Sequence, residues 1–157
     1  MLLSHLFNLQ GLQMDFHITA GQIGTRPQAQ LPSPKILEYL GEDGMRKLVS
    51  DHYDLLRVSD IKGLFPPTDE GFEMAKKHSS DFFIQICGGF PHFNHSRGRP
   101  MMAARHMPFK ITQEARRIWL ESYKIVLMNL DMPDELKMSF WNYIDLFSIW
   151  MMNSTEE

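Results

Sequence analysis

The segment RGRPMMAARHMPFKI, residues 97–111, places one histidine between an arginine and a Pro-Phe step. Pro108 cannot continue a helix interior and biases the residue before it toward extended geometry, so the segment predicts a short helix that ends at His106. Gly98 and Pro100 mark the other end of this helix. An imidazole that donates through one ring nitrogen can bind a metal ion through the other. His106 is therefore the candidate metal ligand.

The arginine beside this histidine adds a second chemical feature. The guanidinium of Arg105 suits a carboxylate, because its planar fork can donate two parallel hydrogen bonds. An isolated Arg-His pair, however, is more often part of an ordinary loop with a chance histidine. The residues around the pair must decide between these interpretations.

The wider pattern R-G-x-P-x-x-x-x-R-H-x-P-F-x-I, followed by a helix that carries Trp119, resembles the proximal segment of the truncated haemoglobins. The closest resemblance is to their second subgroup. Upstream, Cys87-Gly88-Gly89 followed by Phe93 resembles the Gly-Gly turn of this family and the aromatic residue after it. The resemblance extends from about Ile36 to Asn153.

The resemblance implies a fold and a cofactor. The expected fold is all-α, a two-over-two helical sandwich around haem b. His106 corresponds to the proximal ligand of the haem iron, and Arg105 is expected to face a haem propionate. Phe65 corresponds to a residue that packs on the haem face, where this subgroup often carries tyrosine, so this chain lacks one candidate donor. Phe82 and Phe93 are further predicted cofactor contacts.

Two hydrogen-bond donors are expected on the opposite, distal side of the haem. By resemblance, the Tyr53 O–H and the Trp119 N–H reach a bound diatomic ligand. Both residues also lie on apolar helix stripes, and a purely structural role in the core explains that spacing equally well. Ser79 corresponds to a wall of the same pocket, although its hydroxyl could instead bond the carbonyl of Ala75 one turn earlier.

The remaining histidines carry weaker hypotheses. His78 is a conceivable sixth iron ligand, and His52 lies beside Tyr53 on a helix stripe. We expect both to be either partly exposed or adjacent to the residues that contact the haem. His92 and His95 have a spacing that could suit zinc, but two further ligands are not evident. We interpret them as surface residues of a loop over residues 90–101.

Capping residues and helical periodicity predict the remaining helices. Ser33-Pro34 opens a short helix to Leu40, and Gly41 and Gly44 flank the start of a second helix. Thr68 and Thr112 each cap a longer helix, and the last helix covers residues 134–152. No segment alternates with a period of two over a convincing length.

Composition narrows the class of protein. The chain of 157 residues is long enough for one domain, and its net charge of −3 argues against nucleic acid or an anionic membrane as partner. Eleven Phe, twelve Met and three Trp could line a pocket for a large flat cofactor or simply form an aromatic core. The single cysteine, Cys87, excludes an intramolecular disulfide, and a cytoplasmic protein is expected.

The ends of the chain differ from its centre. Residues 1–32 contain Gly, Pro and Gln without a sustained period, and we predict a flexible extension there. Its first ten residues lack Lys and Arg and make a poor signal peptide, and Met14 is an alternative start. Residues 33–153 form the predicted globin domain, and residues 154–157 form a tail.

Three functional hypotheses follow. The first is a globin that reversibly binds dioxygen, CO and NO at a histidine-ligated iron. The second is a haem enzyme on the same scaffold, a nitric oxide dioxygenase or a peroxidase, which requires electrons from a reductase. The third is a helical interaction protein without cofactor, whose Met-rich last helix would contact a partner.

Overall fold

A computed structural model describes residues 14–156. Within that range the chain forms six α-helices and one 3-10 turn, and no strand. The elements are α1 (Lys35–Arg57), a 3-10 turn (Lys62–Leu64), α2 (Asp69–Ile86), α3 (His92–Arg97), α4 (Met102–His106), α5 (Gln113–Met128) and α6 (Asp134–Ile149). The all-α prediction is confirmed.

The four long helices form two layers. Helix α1 packs along α2, α5 packs along α6, and α1 also contacts α5 and α6. This is the two-over-two arrangement that the sequence predicted. None of the helices among residues 14–156 combines the length and apolar character that crossing a bilayer requires.

Helix α1 contains the break that its sequence predicted. The Ser33 hydroxyl accepts a hydrogen bond from the Lys35 N–H at 3.2 Å, and Pro34 has helical dihedral angles. Gly41 then leaves the helical region with φ 72° and ψ 172°, a conformation that glycine adopts without the steric penalty of a side chain. Because the helix is interrupted there, the segment before Gly41 and the segment after it differ in direction.

Two threonine side chains begin α2 and α5. The Thr68 Oγ1 accepts from the Gly71 N–H at 3.1 Å, and the Thr112 Oγ1 accepts from the Ala115 N–H at 3.0 Å. Each cap satisfies one backbone donor that the first helical turn leaves unpaired and contributes about 1 kcal/mol. Both predicted caps are confirmed.

Helix α3 lies where the sequence predicted a loop. Its residue Asn94 is held by the Gln85 side chain, which donates to the Asn94 Oδ1 at 3.0 Å and accepts from the Asn94 N–H at 2.9 Å. Phe93, the second residue of α3, is buried. The prediction of a loop was wrong because this short helix is stabilised by contacts with α2 rather than by its own periodicity.

We predicted a flexible extension before α1, and residues 14–32 of that segment contact α6. The segment is not helical, but it follows one path across α6. The indole N–H groups of Trp141 and Trp150 donate to the carbonyls of His17 and Pro27, both at 2.8 Å. A Cβ on Gly21 would lie 2.7 Å from Ile149, so only glycine permits this close approach. The predictions about residues 1–13 lie outside the described residues.

A buried ion pair joins this N-terminal segment to α5 and α6. The Arg116 guanidinium donates to the Asp145 carboxylate at 2.8 Å, to the Ser148 hydroxyl at 2.8 Å and to the Thr19 carbonyl at 2.8 Å. The Asp145 carboxylate also accepts from the Thr19 N–H and hydroxyl. Arg116 and Asp145 are 4% and 6% exposed, so both charges depend on these partners.

Candidate functional site

His106 is the last residue of α4, as predicted. The helix begins after Met101, whose φ of 42° is in the left-handed region, and after His106 the chain turns at Pro108. The His106 Nδ1 lies 2.6 Å from the Met102 carbonyl oxygen, one helical turn earlier. A carbonyl can only accept a hydrogen bond, so Nδ1 carries the proton and Nε2 keeps its lone pair.

The surroundings of His106 favour this neutral form. Burial lowers the pKa of the imidazole, and the hydrogen bond to Met102 raises it by a smaller amount. A neutral ring with Nδ1–H fixed by a backbone carbonyl is the usual state of a histidine that ligates a metal through Nε2.

The side chains near His106 indicate which kind of metal-containing group this histidine could bind. Residues 14–156 contain no cluster of three or more His, Cys, Asp or Glu side chains that could hold a metal ion. An ion bound by His106 would therefore need its other ligands from a non-protein group. A porphyrin supplies four nitrogen ligands in one plane and leaves the axial position to a histidine, so the residues present fit haem.

The end of the chain fixes the turn that follows His106. The Asn153 Nδ2 donates to the carbonyls of His106 at 3.2 Å and Phe109 at 2.8 Å, and its Oδ1 accepts from the Ile111 N–H at 3.0 Å. No local sequence pattern indicated this role, because Asn153 lies 47 residues after His106.

Arg105 mainly organises the loop before α4. Its Nε donates to the Pro100 carbonyl at 2.6 Å, and its Nη2 donates to the carbonyls of Arg97 and Arg99 at 2.9 and 3.0 Å. A guanidinium has five N–H groups, and these bonds leave the two on Nη1 for a carboxylate. The predicted contact with a haem propionate thus remains a proposal that involves Nη1.

Phe93 and Phe82 lie in one cluster with Arg105. The Arg105 guanidinium lies 5.2 Å from the centroid of the Phe93 ring, and the Phe82 ring meets Phe93 at 6.0 Å. Phe82 also stacks on Phe147 of α6 at 5.6 Å. An apolar cleft of about 400 Å³ adjoins this cluster and the side of α4 that carries Met102.

Tyr53 lies in a second cluster, between α1, the 3-10 turn and α2. Its ring meets Phe65 at 5.4 Å and Phe72 at 5.7 Å. Burial raises the pKa of the Tyr53 hydroxyl, and a hydrogen bond with Ser79 lowers it by a smaller amount. Tyr53 and Ser79 are thus neighbours in the structure. The bond one turn back along α2 is made by the neighbouring Ser80, which donates to the Lys76 carbonyl at 2.9 Å.

Trp119 differs from the other two tryptophans. The indole N–H groups of Trp141 and Trp150 donate to backbone carbonyls, whereas the Trp119 N–H has no acceptor within residues 14–156. The Trp119 ring packs edge-on against Tyr123 at 4.9 Å and is partly buried in the core.

Of the two positions expected for His52, the structure excludes the partly exposed one, because His52 is completely buried. Its Nε2 donates to the Trp119 carbonyl at 3.0 Å, and its ring stacks on Tyr123 with 3.4 Å between centroids and an angle of 14°. Burial lowers the pKa of His52 to about 3. Its predicted place on one helix stripe with Leu48 and Leu56 agrees with this burial.

The other candidate histidines lie outside this aromatic cluster. His78 is half-buried on α2, and burial together with the charges of Arg97, Lys77 and Arg105 lowers its pKa. His92 and His95 lie on α3, where the His92 Nε2 pairs with the Glu42 carboxylate at 3.0 Å.

The buried His52 leads to a prediction about pH. We expect the free energy of unfolding to fall as the pH decreases below about 6.5, because the unfolded chain then protonates His52 while the folded chain does not. The stability linked to neutral His52 is complete above pH 6.5 and is lost toward pH 3, with a slope of up to about 1.4 kcal/mol per pH unit.

Urea unfolding at a series of pH values between neutrality and mild acid would test this. His52→Gln is expected to show a shallower decline than the wild type. His95→Gln, at an exposed position, should keep the wild-type slope. Parallel curves for the wild type and His52→Gln would contradict the prediction.

Comparison with known proteins places these features in a family. A family model of bacterial-like globins matches residues 36–153. The group 2 truncated haemoglobin YjbI of Bacillus subtilis (strain 168) is 32% identical over 122 residues, which cover 76% of this chain and 89% of that protein. Two-on-two hemoglobin-3 of Arabidopsis thaliana is 31% identical over 81 residues, covering 49% of this chain and 46% of that protein.

Solved structures agree with this fold. Phosphate-bound Hell's gate globin IV superposes with a TM-score of 0.81 and 37% identity, covering 90% of this chain and 89% of that one. The truncated oxygen-avid haemoglobin of Bacillus subtilis superposes with a TM-score of 0.69 and 27% identity, covering 77% and 99%. The chain therefore belongs to the bacterial-like globin family, with its relatives among the group 2 truncated haemoglobins.

Proposed function

We propose that this protein holds haem b through the His106 Nε2 and reversibly binds dioxygen, CO and NO. Membership of the globin family supports haem binding in general. The observation that carries the more specific proposal is the 2.6 Å hydrogen bond from the His106 Nδ1 to the Met102 carbonyl, which leaves Nε2 as the free ligand atom. We further propose that Phe65, Phe82 and Phe93 line the haem pocket and that the protein acts in the cytoplasm.

The residues of the chain would have separate roles. When bound, haem supplies a ferrous iron with one coordination position for a diatomic ligand. His106 holds the cofactor and fixes its orientation. Tyr53 and Trp119 would donate hydrogen bonds to the ligand, since burial keeps the Tyr53 hydroxyl protonated by raising its pKa and the Trp119 ring lies partly buried beside the core. Ser79 would orient the Tyr53 hydroxyl through their shared hydrogen bond.

An absorption spectrum of the protein purified from haem-replete cells would test the proposal. We expect a Soret band, one haem per chain, and a shift of the band when CO is added to the reduced protein. A second measurement is titration of the haem-free chain with haemin, which should saturate at an equal molar ratio. A protein that purifies and titrates without a Soret band of this kind would refute the proposal.

Tyr53→Phe is expected to speed dioxygen dissociation. A hydrogen bond to an acceptor that carries charge contributes about 1.5–3 kcal/mol, which corresponds to roughly one to two decades in the dissociation rate. Stopped-flow displacement of dioxygen by CO would measure the rate. Ser79→Ala serves as the comparison, because it removes the partner of Tyr53 but not the donor, and a smaller acceleration is expected. An unchanged rate in Tyr53→Phe would assign the donor role to Trp119 or Ser79.

A further inference from the structure

We infer that His52 is a positioning residue for ligand binding, which holds Trp119 at the orientation in which its indole N–H faces the ligand. This inference rests on the proposed function, because it assumes that Trp119 is a distal donor. His52 itself is not expected to touch the haem or the ligand. It acts through the backbone of α5 and through ring contacts.

The first observation is a hydrogen bond between two helices. The His52 Nε2 on α1 donates to the Trp119 carbonyl on α5 at 3.0 Å, across 67 residues of sequence. A backbone carbonyl has two lone pairs, so Trp119 can accept this bond in addition to the one from its own helix. The bond joins the backbone of Trp119, one proposed donor, to the side chain of His52. His52 is the sequence neighbour of Tyr53, the other proposed donor.

The second observation is that three aromatic rings enclose the imidazole. Tyr123 stacks face to face on it, with 3.4 Å between ring centroids. The Trp119 and Tyr53 rings meet it edge-on at 5.2 and 6.1 Å. Because His52 is fully buried, it cannot move without displacing these neighbours. The His52 ring thus contacts the rings of both proposed donors, Tyr53 and Trp119.

The third observation is that two buried polar atoms beside Trp119 lack a hydrogen-bond partner, which a purely apolar core would avoid. Among residues 14–156, the buried His52 Nδ1 and the Tyr123 hydroxyl have no hydrogen-bond partner. An unpaired polar atom in the interior is costly, so an apolar side chain at position 52 would fill the same space at lower cost. What histidine adds over such a side chain is the Nε2–H bond to Trp119.

A matched pair of substitutions isolates that bond. Glutamine places its side-chain nitrogen the same number of bonds from Cβ as the histidine Nε2, and it can donate to the Trp119 carbonyl. Methionine is similar in length and flexibility but has no donor. His52→Gln should therefore preserve the position of Trp119, and His52→Met should lose it.

The test observes Trp119 directly. In the CO-bound full chain labelled with 5-fluorotryptophan, the resonance of Trp119 is assigned by its loss in Trp119→Phe. We expect this resonance to shift or broaden in His52→Met and to stay near its wild-type position in His52→Gln. The resonances of Trp141 and Trp150, which donate to the N-terminal segment, should not move in either variant. The same measurement on the haem-free chain provides a readout without cofactor.

Ligand kinetics complete the test. His52→Met should release dioxygen several-fold faster than the wild type, and His52→Gln should release it at nearly the wild-type rate. An unmoved Trp119 resonance in His52→Met would overturn the inference, and so would equal shifts in both variants, which would indicate packing alone. If Trp119→Phe itself releases dioxygen at the wild-type rate, the proposed donor role of Trp119 fails, while the resonances still decide whether His52 positions the ring.

Discussion

Replacing His106 by glycine is expected to abolish stable haem binding. His106 is the proposed iron ligand, and glycine has no side chain that could replace its imidazole. Loss of an outer-shell partner of a metal ligand already costs about 10–100-fold in affinity, and loss of the axial ligand itself should cost more. The measurement is haemin titration of the purified chain, followed by the Soret band and by haem transfer to an acceptor protein.

Adding free imidazole to His106→Gly tests whether the lost ligand can be replaced from solution. Glycine leaves a space where the His106 ring was, and free imidazole should enter it and restore the Soret band of a histidine-ligated haem. His95→Gly, at an exposed position on α3, is the matched control and should bind haem like the wild type. If His106→Gly retained a wild-type spectrum and affinity without imidazole, another residue would be the ligand and the proposed function would need a different site.

Arg116→Met is expected to reduce the free energy of unfolding by about 3–5 kcal/mol, the cost of leaving one member of a buried ion pair without its partner. The Asp145 carboxylate would then keep only the Thr19 donors, and the Thr19 carbonyl would lose its bond to α5. Urea unfolding of the full chain, followed by circular dichroism, would measure the loss.

Two further variants test whether the loss of stability in Arg116→Met comes from the buried ion pair with Asp145. Arg117→Met breaks the exposed pair with Glu114, and exposed pairs of this kind contribute less than about 1 kcal/mol. Arg116→Met combined with Asp145→Leu removes both charges, so the double variant should be more stable than the sum of the two single losses predicts. Equal losses in Arg116→Met and Arg117→Met would contradict the prediction.

The order and limits of most helices could be predicted from short stretches of sequence. Thr68 and Thr112 cap their helices because the donors that they satisfy are three residues away. The left-handed backbone at Gly41 and the stop at Pro108 have the same local origin. The place of His106 at the end of a short helix could be predicted for the same reason, because its partner Met102 lies within one turn of that helix.

The features that the sequence missed depend on residues far apart in the chain. The burial of His52 requires α5 to lie across α1, and the turn after His106 requires Asn153 to return to it. The fixed path of residues 14–32 depends on carbonyl acceptors for Trp141 and Trp150, more than 100 residues away. Nothing in the local periodicity of the N-terminal segment predicted it.

The sequence by itself determined an all-α chain with a histidine, the proposed haem ligand, at the end of a short helix, because caps, breaks and one-turn hydrogen bonds are local. Only the tertiary structure decided which side-chain donors are already bonded within the protein. Arg105 is largely engaged by loop carbonyls, while the Trp119 N–H has no acceptor within residues 14–156. A side chain's hydrogen bonds depend on which groups the fold brings to it, and composition and spacing do not contain that information.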